Sequence, residues 1–245
     1  MANFKLIIEY DGTEYQGWQR QKNAATIQGE IENALKIMTG KDITLIGSGR
    51  TDSGVHALGQ CANFHCETRL SPQVFQKGLN SLLNKDIVIK DCQYADENFH
   101  ARYDVKSKTY QYRILNRQIP AAVGRQYAWF IRNKLDTDAM RSAAMHLTGI
   151  HDFKAFEGAG SPRSHTVRSV FRTDISEQDA GYVVFEIEAD GFLKFMVRNI
   201  VGTLAETGLG KISPADFRQI LLKKDRKLAA ATAPPQGLFL MNVTY

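Results

Sequence analysis

Apolar and polar residues alternate at the start of the chain, a pattern typical of a strand with one buried face. Residues 4–10 (FKLIIEY) follow this alternation, with only Ile7 out of phase. Further short apolar runs at residues 43–46, 61–65 and 87–89 predict three more strands. Each run is short, which favours strands over helices.

Two helices are predicted between these strands. Thr26 supplies a capping hydroxyl before a helical apolar stripe, and Gly40 ends it. Ser71-Pro72 starts the second helix, with a capping residue followed by proline at the first helical position. The stripes are Ile27, Ile31, Ala34, Leu35 and Met38 in the first helix, and Val74, Phe75, Gly78, Leu79 and Leu82 in the second.

The order strand, helix, strand, strand, helix, strand is that of a ferredoxin-like fold, a layout also used by many RNA-binding modules. The remaining chain repeats this pattern with insertions. Its predicted strands are 107–115, 126–131, 167–176, 182–190 and 238–243, with a hairpin turn at 179–181. Its predicted helices are 137–147, 194–207 and one that starts at Ser213-Pro214.

We therefore predict an α+β fold of two ferredoxin-like β-α-β-β-α-β halves, with a largely antiparallel sheet and helices on one face. The predicted domains are residues 1–105 and 106–245. No Gly, Ser or Pro linker marks the junction, so we expect the halves to share a sheet or a large interface.

Composition narrows the class of protein. The chain has 245 residues, 43% of them hydrophobic, and no run of about 18 apolar residues that would span a membrane. Its start lacks the apolar core of a signal peptide, so a cytoplasmic protein is expected. The net charge of +5 is compatible with a polyanionic partner. Three cysteines without a Cys-x-x-Cys pair argue against disulfides and a zinc site.

The densest chemical signal is a glycine-rich stretch at residues 47–60 (GSGRTDSGVHALGQ), whose only carboxylate is Asp52. Asp52 stands where a dinucleotide fingerprint needs its third glycine, and no Gly-Lys-Ser/Thr follows for a P-loop. Two interpretations of Asp52 stay open. Asp52 either caps a turn, or is a nucleophile or general base kept ionised by nearby Arg50.

Two other segments carry candidate chemistry. Trp18 lies among amides and cations in residues 15–23, where it either stacks on nucleic-acid bases or fills the core. Arg198 lies in an otherwise apolar helix and requires a partner there, either a structural carboxylate or the ionised Asp52.

Residues 49–57 (GRTDSGVHA) closely resemble the signature of the tRNA pseudouridine synthase A family. Three other segments also resemble family motifs: residues 10–21 (YDGT followed by GWQRQ), 191–202 (GFLKFMVRNIVG) and 233–240 (APPQGLFL). One departure is Ser48, where the family often has alanine. The loop at residues 156–163 matches only loosely, so we assign it no role beyond RNA contact.

The resemblance implies isomerisation of uridine to pseudouridine at nucleotides 38, 39 and 40 of the tRNA anticodon stem-loop, by a homodimer that needs neither metal nor organic cofactor. It assigns Asp52 as the catalytic aspartate, Tyr110 as the tyrosine against the uracil, Arg50 to the displaced nucleotide and Arg198 to Asp52. It places the active-site cleft between the halves.

Two other functions are compatible with the residues alone. A non-catalytic RNA-binding protein of paired RNA-recognition-like modules would explain the fold and the charge without needing Asp52. A hydrolase with an aspartate nucleophile would usually need a second carboxylate as its acid, and the Asp52 stretch offers none.

Overall fold

The computed structural model of the chain describes residues 1–160 and 165–245 and divides into two compact units. The first unit comprises Met1–Lys106 and Phe239–Tyr245, and the second Ser107–Leu238. Each combines a mainly antiparallel sheet with helices, which confirms the α+β prediction. The predicted second domain ran to residue 245, whereas the C-terminal strand lies mostly in the first unit.

The first unit is a split β-α-β arrangement. The elements are β1 (Ala2–Tyr10), α1 (Ile27–Thr39), β2 (Ile46–Gly47), β3 (His56–Cys66), α2 (Pro72–Leu82), β4 (Ile87–Ala95) and the C-terminal strand β10 (Leu238–Thr244). β1 pairs antiparallel with both β3 and β4, while β2 pairs antiparallel with β3. The strand β10 pairs in parallel with the start of β3.

Both helices of this unit begin at the predicted caps. The Thr26 hydroxyl accepts a hydrogen bond from the Gly29 amide, and the Ser71 hydroxyl accepts one from the Val74 amide. Gly40 ends α1 with a left-handed φ of 70°. The sequence signals therefore identified these helices correctly.

Three predicted strands in this unit were wrong in extent. Residues 43–45 do not form a strand, because the Leu45 amide donates to Glu32 and the Leu45 carbonyl accepts from Gln28, both on α1. These side-chain bonds take the place of strand pairing. The strand predicted at 61–65 begins at His56, within the glycine-rich stretch, because the backbone already pairs with neighbouring strands there. The strand predicted at 87–89 continues to Ala95 by pairing with β1.

The elements of the second unit are β5 (Ser107–Asn116), β6 (Trp129–Ile131), α3 (Thr137–Ala144), β7 (Gly149–Asp152), β8 (Val167–Gln178), β9 (Tyr182–Ala189), α4 (Met196–Gly208) and α5 (Pro214–Lys223). The sheet order is β5-β9-β8-β7, with β6 parallel beside β5. The predicted hairpin between β8 and β9 is confirmed, with positive φ at Ala180 and Gly181.

Several boundaries differ from prediction, and β7 was not predicted. The strand predicted at 126–131 is a 3₁₀ turn, Arg125–Tyr127, followed by the short β6. The helix α3 ends at Ala144 and continues as a 3₁₀ turn. The helix α4 begins after Phe195, because that residue has a left-handed backbone, with φ 60°. The loop predicted at 156–163 lies partly outside the described residues.

Across residues 1–160 and 165–245, no helix has both the length and the apolar character needed to cross a membrane.

Candidate active site

Asp52 lies in a tight turn that we call the Asp52 turn, residues 51–55. The Val55 amide donates to the Asp52 carbonyl at 3.2 Å, and Gly54 takes a left-handed φ of 75°. The Asp52 side chain is half-buried, while nearby Arg50 is exposed. A carboxylate held in a fixed turn has the chemistry of a nucleophile or general base.

The loop between β1 and α1 holds the Asp52 turn from one side. The Trp18 amide donates to the Thr51 carbonyl at 3.1 Å, and the Gly54 amide donates to the Tyr15 carbonyl at 3.3 Å. The Ser53 hydroxyl donates to the same Tyr15 carbonyl at 3.1 Å. Bonds on both sides of Asp52 therefore fix its backbone.

Two glycines allow this close approach. A Cβ on Gly17 would lie 2.6 Å from the Thr51 carbonyl oxygen, and one on Gly12 would lie 2.0 Å from that of Val55. Gly17 also has a left-handed φ of 86°. The close packing of the β1–α1 loop against the turn therefore excludes a side chain at either position.

A buried hydrogen bond between two hydroxyl groups links the Asp52 turn to β1. Tyr10 and Thr51 are hydrogen-bonded through their hydroxyls at 2.8 Å. Burial raises the pKa of Tyr10 well above its ordinary value, an effect that the bonds to Thr51 and Gln60 only reduce. Tyr10 therefore stays protonated at neutral pH and acts as a structural residue of the site.

Gln60 of β3 fixes the two residues that precede Arg50. The Gln60 amide donates to the Gly49 carbonyl at 2.9 Å, and its oxygen accepts from the Ser48 hydroxyl at 2.6 Å. The Ser48 amide donates to the Cys61 carbonyl. Ser48, the residue that departs from the family pattern, is thus buried, and its hydrogen bonds to β3 fix the segment before the Asp52 turn.

Trp18 belongs to the core. It is 3% exposed, and its indole ring packs against Gly47, where a Cβ would lie 2.6 Å from the ring. Of the two roles predicted from the sequence, core filling is the one that the structure supports. The ring contributes to the site indirectly, by packing the β1–α1 loop against the strand before the Asp52 turn.

Tyr110 lies on β5 in the second unit. Its ring is 7% exposed and packs edge-on against Phe192, with ring centroids 4.9 Å apart. Tyr112 shares its face of the strand, but the Tyr112 hydroxyl donates to the Pro234 carbonyl at 2.7 Å. Burial raises the pKa of Tyr112 far above the ordinary value, so that residue is structural.

Arg198 lies in the first turn of α4. Its Nε donates to the Ala233 carbonyl at 2.8 Å, while its backbone carbonyl accepts from the Ala233 amide at 3.0 Å. Its guanidinium carbon lies 5.0 Å from the centre of the Phe195 ring, within cation–π range. The head group is therefore fixed from two directions.

Next to Arg198, the fully buried Asn199 ties three segments together. Its amide donates to the Phe156 carbonyl at 2.8 Å, and its oxygen accepts from Arg226 at 3.0 Å and from Thr232 at 2.6 Å. We call these four residues the Asn199 network. The network fixes the segment that ends at Ala233, the residue to which Arg198 is bonded.

Of the four residues proposed from the sequence, Asp52 and Arg50 lie in the first unit and Tyr110 and Arg198 in the second. Sequence reasoning assigned no role to Gly17, Gln60 or His56, although all three lie within segments that it quoted. For Gly17, the sequence did contain a usable signal, namely a glycine directly before the aromatic Trp18. The partners of His56 are distant in sequence, and those of Gln60 lie at the other end of the same glycine-rich stretch, beyond the reach of a helix or strand period.

The three cysteines are buried free thiols. Burial raises the pKa of the Cys92 thiol to about 12, and it also raises the pKa values of Cys61 and Cys66. Among the described residues, no group of three or more His, Cys, Asp or Glu side chains is arranged to hold a metal ion.

The matching family model and the similar relatives point to one family. The family model described as tRNA pseudouridine synthase matches residues 6–104 and 143–245. A tRNA pseudouridine synthase A from Acetivibrio thermocellus is 50% identical over 246 residues, and one from a Thermoanaerobacter species is 46% identical over 245 residues. A third, from Caldicellulosiruptor bescii, is 45% identical. In all three cases the match covers 100% of both chains.

These matches cover the Asp52 turn, the segment around Arg198 and both units. They also exclude the two other functions that the residues alone left open, since the family is one of enzymes and of isomerases. The chain therefore belongs to the tRNA pseudouridine synthase family, whose members isomerise uridine in tRNA.

Proposed function

We propose that this enzyme converts uridine to pseudouridine at positions 38, 39 and 40 of the tRNA anticodon stem-loop, with Asp52 as the catalytic residue. The observation that supports this most directly is the Asp52 turn, in which a half-buried carboxylate is held by backbone bonds on both sides. The catalytic role of Asp52 is inferred from the signature motif around it, residues 49–57.

The reaction exchanges one bond for another within a single nucleotide. The base first leaves the stack, because the reacting atoms of a stem nucleotide are inaccessible inside it. Asp52 then either attacks the sugar C1′ or removes a sugar proton, and the bond from C1′ to N1 breaks. The uracil turns and forms a bond from C1′ to C5. On the first route this step breaks the bond between C1′ and Asp52, and on the second route Asp52 returns the proton to the sugar. C5 loses its proton, and N1 gains one.

The other site residues have supporting roles in this proposal. Tyr110 contacts the uracil, where aromatic stacking contributes about 1–3 kcal/mol per base. Arg50 is exposed and steadies the displaced nucleotide. Arg198 keeps Asp52 ionised, as expected of a fixed guanidinium paired with a carboxylate.

The enzyme is proposed to act in the cytoplasm as a homodimer. The basic charge of +5 favours tRNA binding through phosphate contacts, so affinity is expected to fall steeply with salt. Light scattering at micromolar concentration tests the dimer, and a monomer mass contradicts it. A flat salt response contradicts a surface that follows the phosphates.

The catalytic proposal is tested by tritium release from tRNA that carries 5-³H-uridine. Asp52→Ala and Asp52→Asn are compared with the wild type at equal tRNA occupancy. Asp42→Asn is the matched control, because Asp42 is also an aspartate before β3 but its side chain is 87% exposed. We expect release by the wild type and the control only.

Each other outcome has a definite meaning. Release by the Asp52 variants removes Asp52 from the centre of the mechanism. Absence of release by the wild type, with tRNA bound, contradicts the proposed reaction. Free uracil in place of pseudouridine indicates hydrolysis of the glycosidic bond.

The position of modification needs a separate test. Three tRNA transcripts each retain uridine at only one of positions 38, 39 and 40, with cytidine at the other two and complementary bases adjusted. Pseudouridine is then mapped by carbodiimide labelling and reverse transcription. Modification of all three transcripts supports the proposal, whereas modification outside these positions contradicts it.

A further inference from the structure

His56 is a buried titratable residue that the mechanism above does not use. It begins β3 four residues after Asp52 and is 1% exposed. Its ring stacks on Phe239, with centroids 4.7 Å apart. Its Nδ1 atom lies 3.1 Å from the Gly12 amide nitrogen and 3.0 Å from an Asp11 carboxylate oxygen.

This geometry ties the β1–α1 loop to β3 in either protonation state of the ring. A neutral imidazole with a free Nδ1 lone pair accepts the hydrogen bond from Gly12, while an imidazole protonated at Nδ1 donates to Asp11. Asp11 also accepts from the Thr13 amide at 3.0 Å, which fixes the carboxylate that faces the ring. The anchored residues are adjacent, so the loop is held at the same place in both cases.

A short chain of contacts connects this anchor to Asp52. The Gly12 carbonyl accepts from the Tyr15 amide at 3.0 Å, and the Tyr15 carbonyl accepts from Gly54 and Ser53 of the Asp52 turn. Gly12 also packs directly against the Val55 carbonyl. A shift of the loop at Gly12 would therefore move both sides of the Asp52 turn.

We infer that His56 is a positioning residue for catalysis: through Nδ1 it sets the β1–α1 loop, which in turn sets the direction of the Asp52 carboxylate. This inference rests on the catalytic role proposed for Asp52. It predicts that His56 affects the chemical step far more than tRNA binding, because the contacts run to the backbone of the turn.

The test compares His56→Ala with His56→Asn in the full chain. The Oδ1 atom of asparagine takes the place of Nδ1 and accepts from Gly12, whereas alanine cannot. The matched control is Asn63→Ala. Asn63 is a fully buried polar residue on the same strand whose amide and oxygen bind Asn3 and Ala101, away from the turn.

For each variant, kcat and KM for tritium release are measured at a temperature where circular dichroism shows it folded. We expect His56→Ala to lower kcat on the order of 10²-fold, the scale of a small misplacement of a catalytic group. KM should change little. His56→Asn should recover most of the loss, and Asn63→Ala should lower stability with kcat unchanged.

The inference is overturned if His56→Ala has wild-type kcat, if only KM changes, if asparagine does not restore activity, or if Asn63→Ala lowers kcat as much. Asp52→Asn is measured alongside. Wild-type activity in Asp52→Asn contradicts the proposed function, whereas an inactive Asp52→Asn with a fully active His56→Ala contradicts this inference alone.

Discussion

The Asp52 turn in the first unit and the start of α4 in the second hold their proposed functional side chains in different ways. Backbone amides and carbonyls of the β1–α1 loop fix the Asp52 turn, helped by glycines that allow close approach. At α4, the Phe195 ring and the Ala233 carbonyl fix the Arg198 side chain, and the side chains of the Asn199 network in turn position Ala233.

The difference determines which changes each region tolerates. A backbone-held turn depends on the absence of side chains at Gly12 and Gly17, so added atoms should disrupt it. A region held by side chains depends on the polar atoms that Asn199 brings together, so removed atoms should disrupt it. The following predictions test this contrast, starting with the largest effect.

Gly17→Ala should have the largest effect, because the new Cβ meets the Thr51 carbonyl and the backbone is left-handed. Gly40→Ala is the control, with a φ of 70° but no atom within 4 Å of the Cβ. Both variants carry a left-handed alanine, which costs about 1 kcal/mol of stability. Only Gly17→Ala adds a steric cost of about 1–3 kcal/mol.

The measurements are the free energy of unfolding in urea and kcat for tritium release. We expect Gly17→Ala to lose activity on the order of 10²-fold, since the turn must move. Gly40→Ala should keep wild-type kcat. Equal activity in the two variants would show that close approach at Gly17 does not position the Asp52 turn.

The sequence predicted most of the fold because its signals are local. Thr26, Ser71 and Gly40 cap helices through contacts within one turn, and the hairpin at Gly181 depends on its own backbone. The prediction failed at residues 43–45, where Glu32 of α1 takes the Leu45 amide. Long-range side-chain bonds of this kind leave no periodic signal.

The candidate site was predictable only in part for the same reason. The motif around Asp52 and an arginine among the apolar residues of α4 are visible along the chain. The partners that fix these residues are distant in sequence: Gly12 for His56, and Phe156 for Asn199. Such pairs are determined by tertiary packing and become apparent only in three dimensions.

Asn199→Ala should have the next largest effect. It removes the partner of Arg226, Thr232 and the Phe156 carbonyl in one step, and we expect a loss on the order of 3 kcal/mol of unfolding free energy. Urea denaturation measures it. Asn33→Ala, on the exposed face of α1, is the control and should change stability by less than about 0.5 kcal/mol.

Activity in folded Asn199→Ala sharpens the comparison. If side chains position Arg198, kcat should fall even at temperatures where the variant is fully folded, because the segment that contains Ala233 is released. A variant with lowered stability but wild-type kcat would show that the network stabilises the unit without positioning Arg198.

A third prediction separates the ring of Phe195 from its backbone. Phe195→Ala and Phe195→Gly both remove the ring that lies over Arg198, but only glycine adopts the left-handed φ of 60° without strain. The free energy of unfolding of Phe195→Gly in urea should therefore exceed that of Phe195→Ala by about 1 kcal/mol. Equal kcat in the two variants, lower than in the wild type, supports positioning by the ring. Higher kcat in the glycine variant assigns the effect to backbone strain, and wild-type kcat in both contradicts a role for the ring.

The smallest expected effect concerns pH. Asp152 accepts hydrogen bonds from Thr166 and from the Lys154 amide, which starts the 3₁₀ turn ending at Phe156 of the Asn199 network. Partial burial raises the pKa of Asp152, but the bonds from Thr166, Lys224 and the Lys154 amide outweigh it, so its pKa lies below the ordinary value.

A lowered folded-state pKa gives stability that is present above the unfolded-state pKa of about 3.9 and is lost as the pH falls through the folded-state value. Asp152→Asn should therefore be less stable than the wild type at pH 7, and the difference should shrink as the pH falls below about 4. Urea denaturation at pH 7 and pH 3 measures it, with Asp42→Asn as the exposed control. A difference that does not depend on pH would mean that the charge of the Asp152 carboxylate does not support this turn.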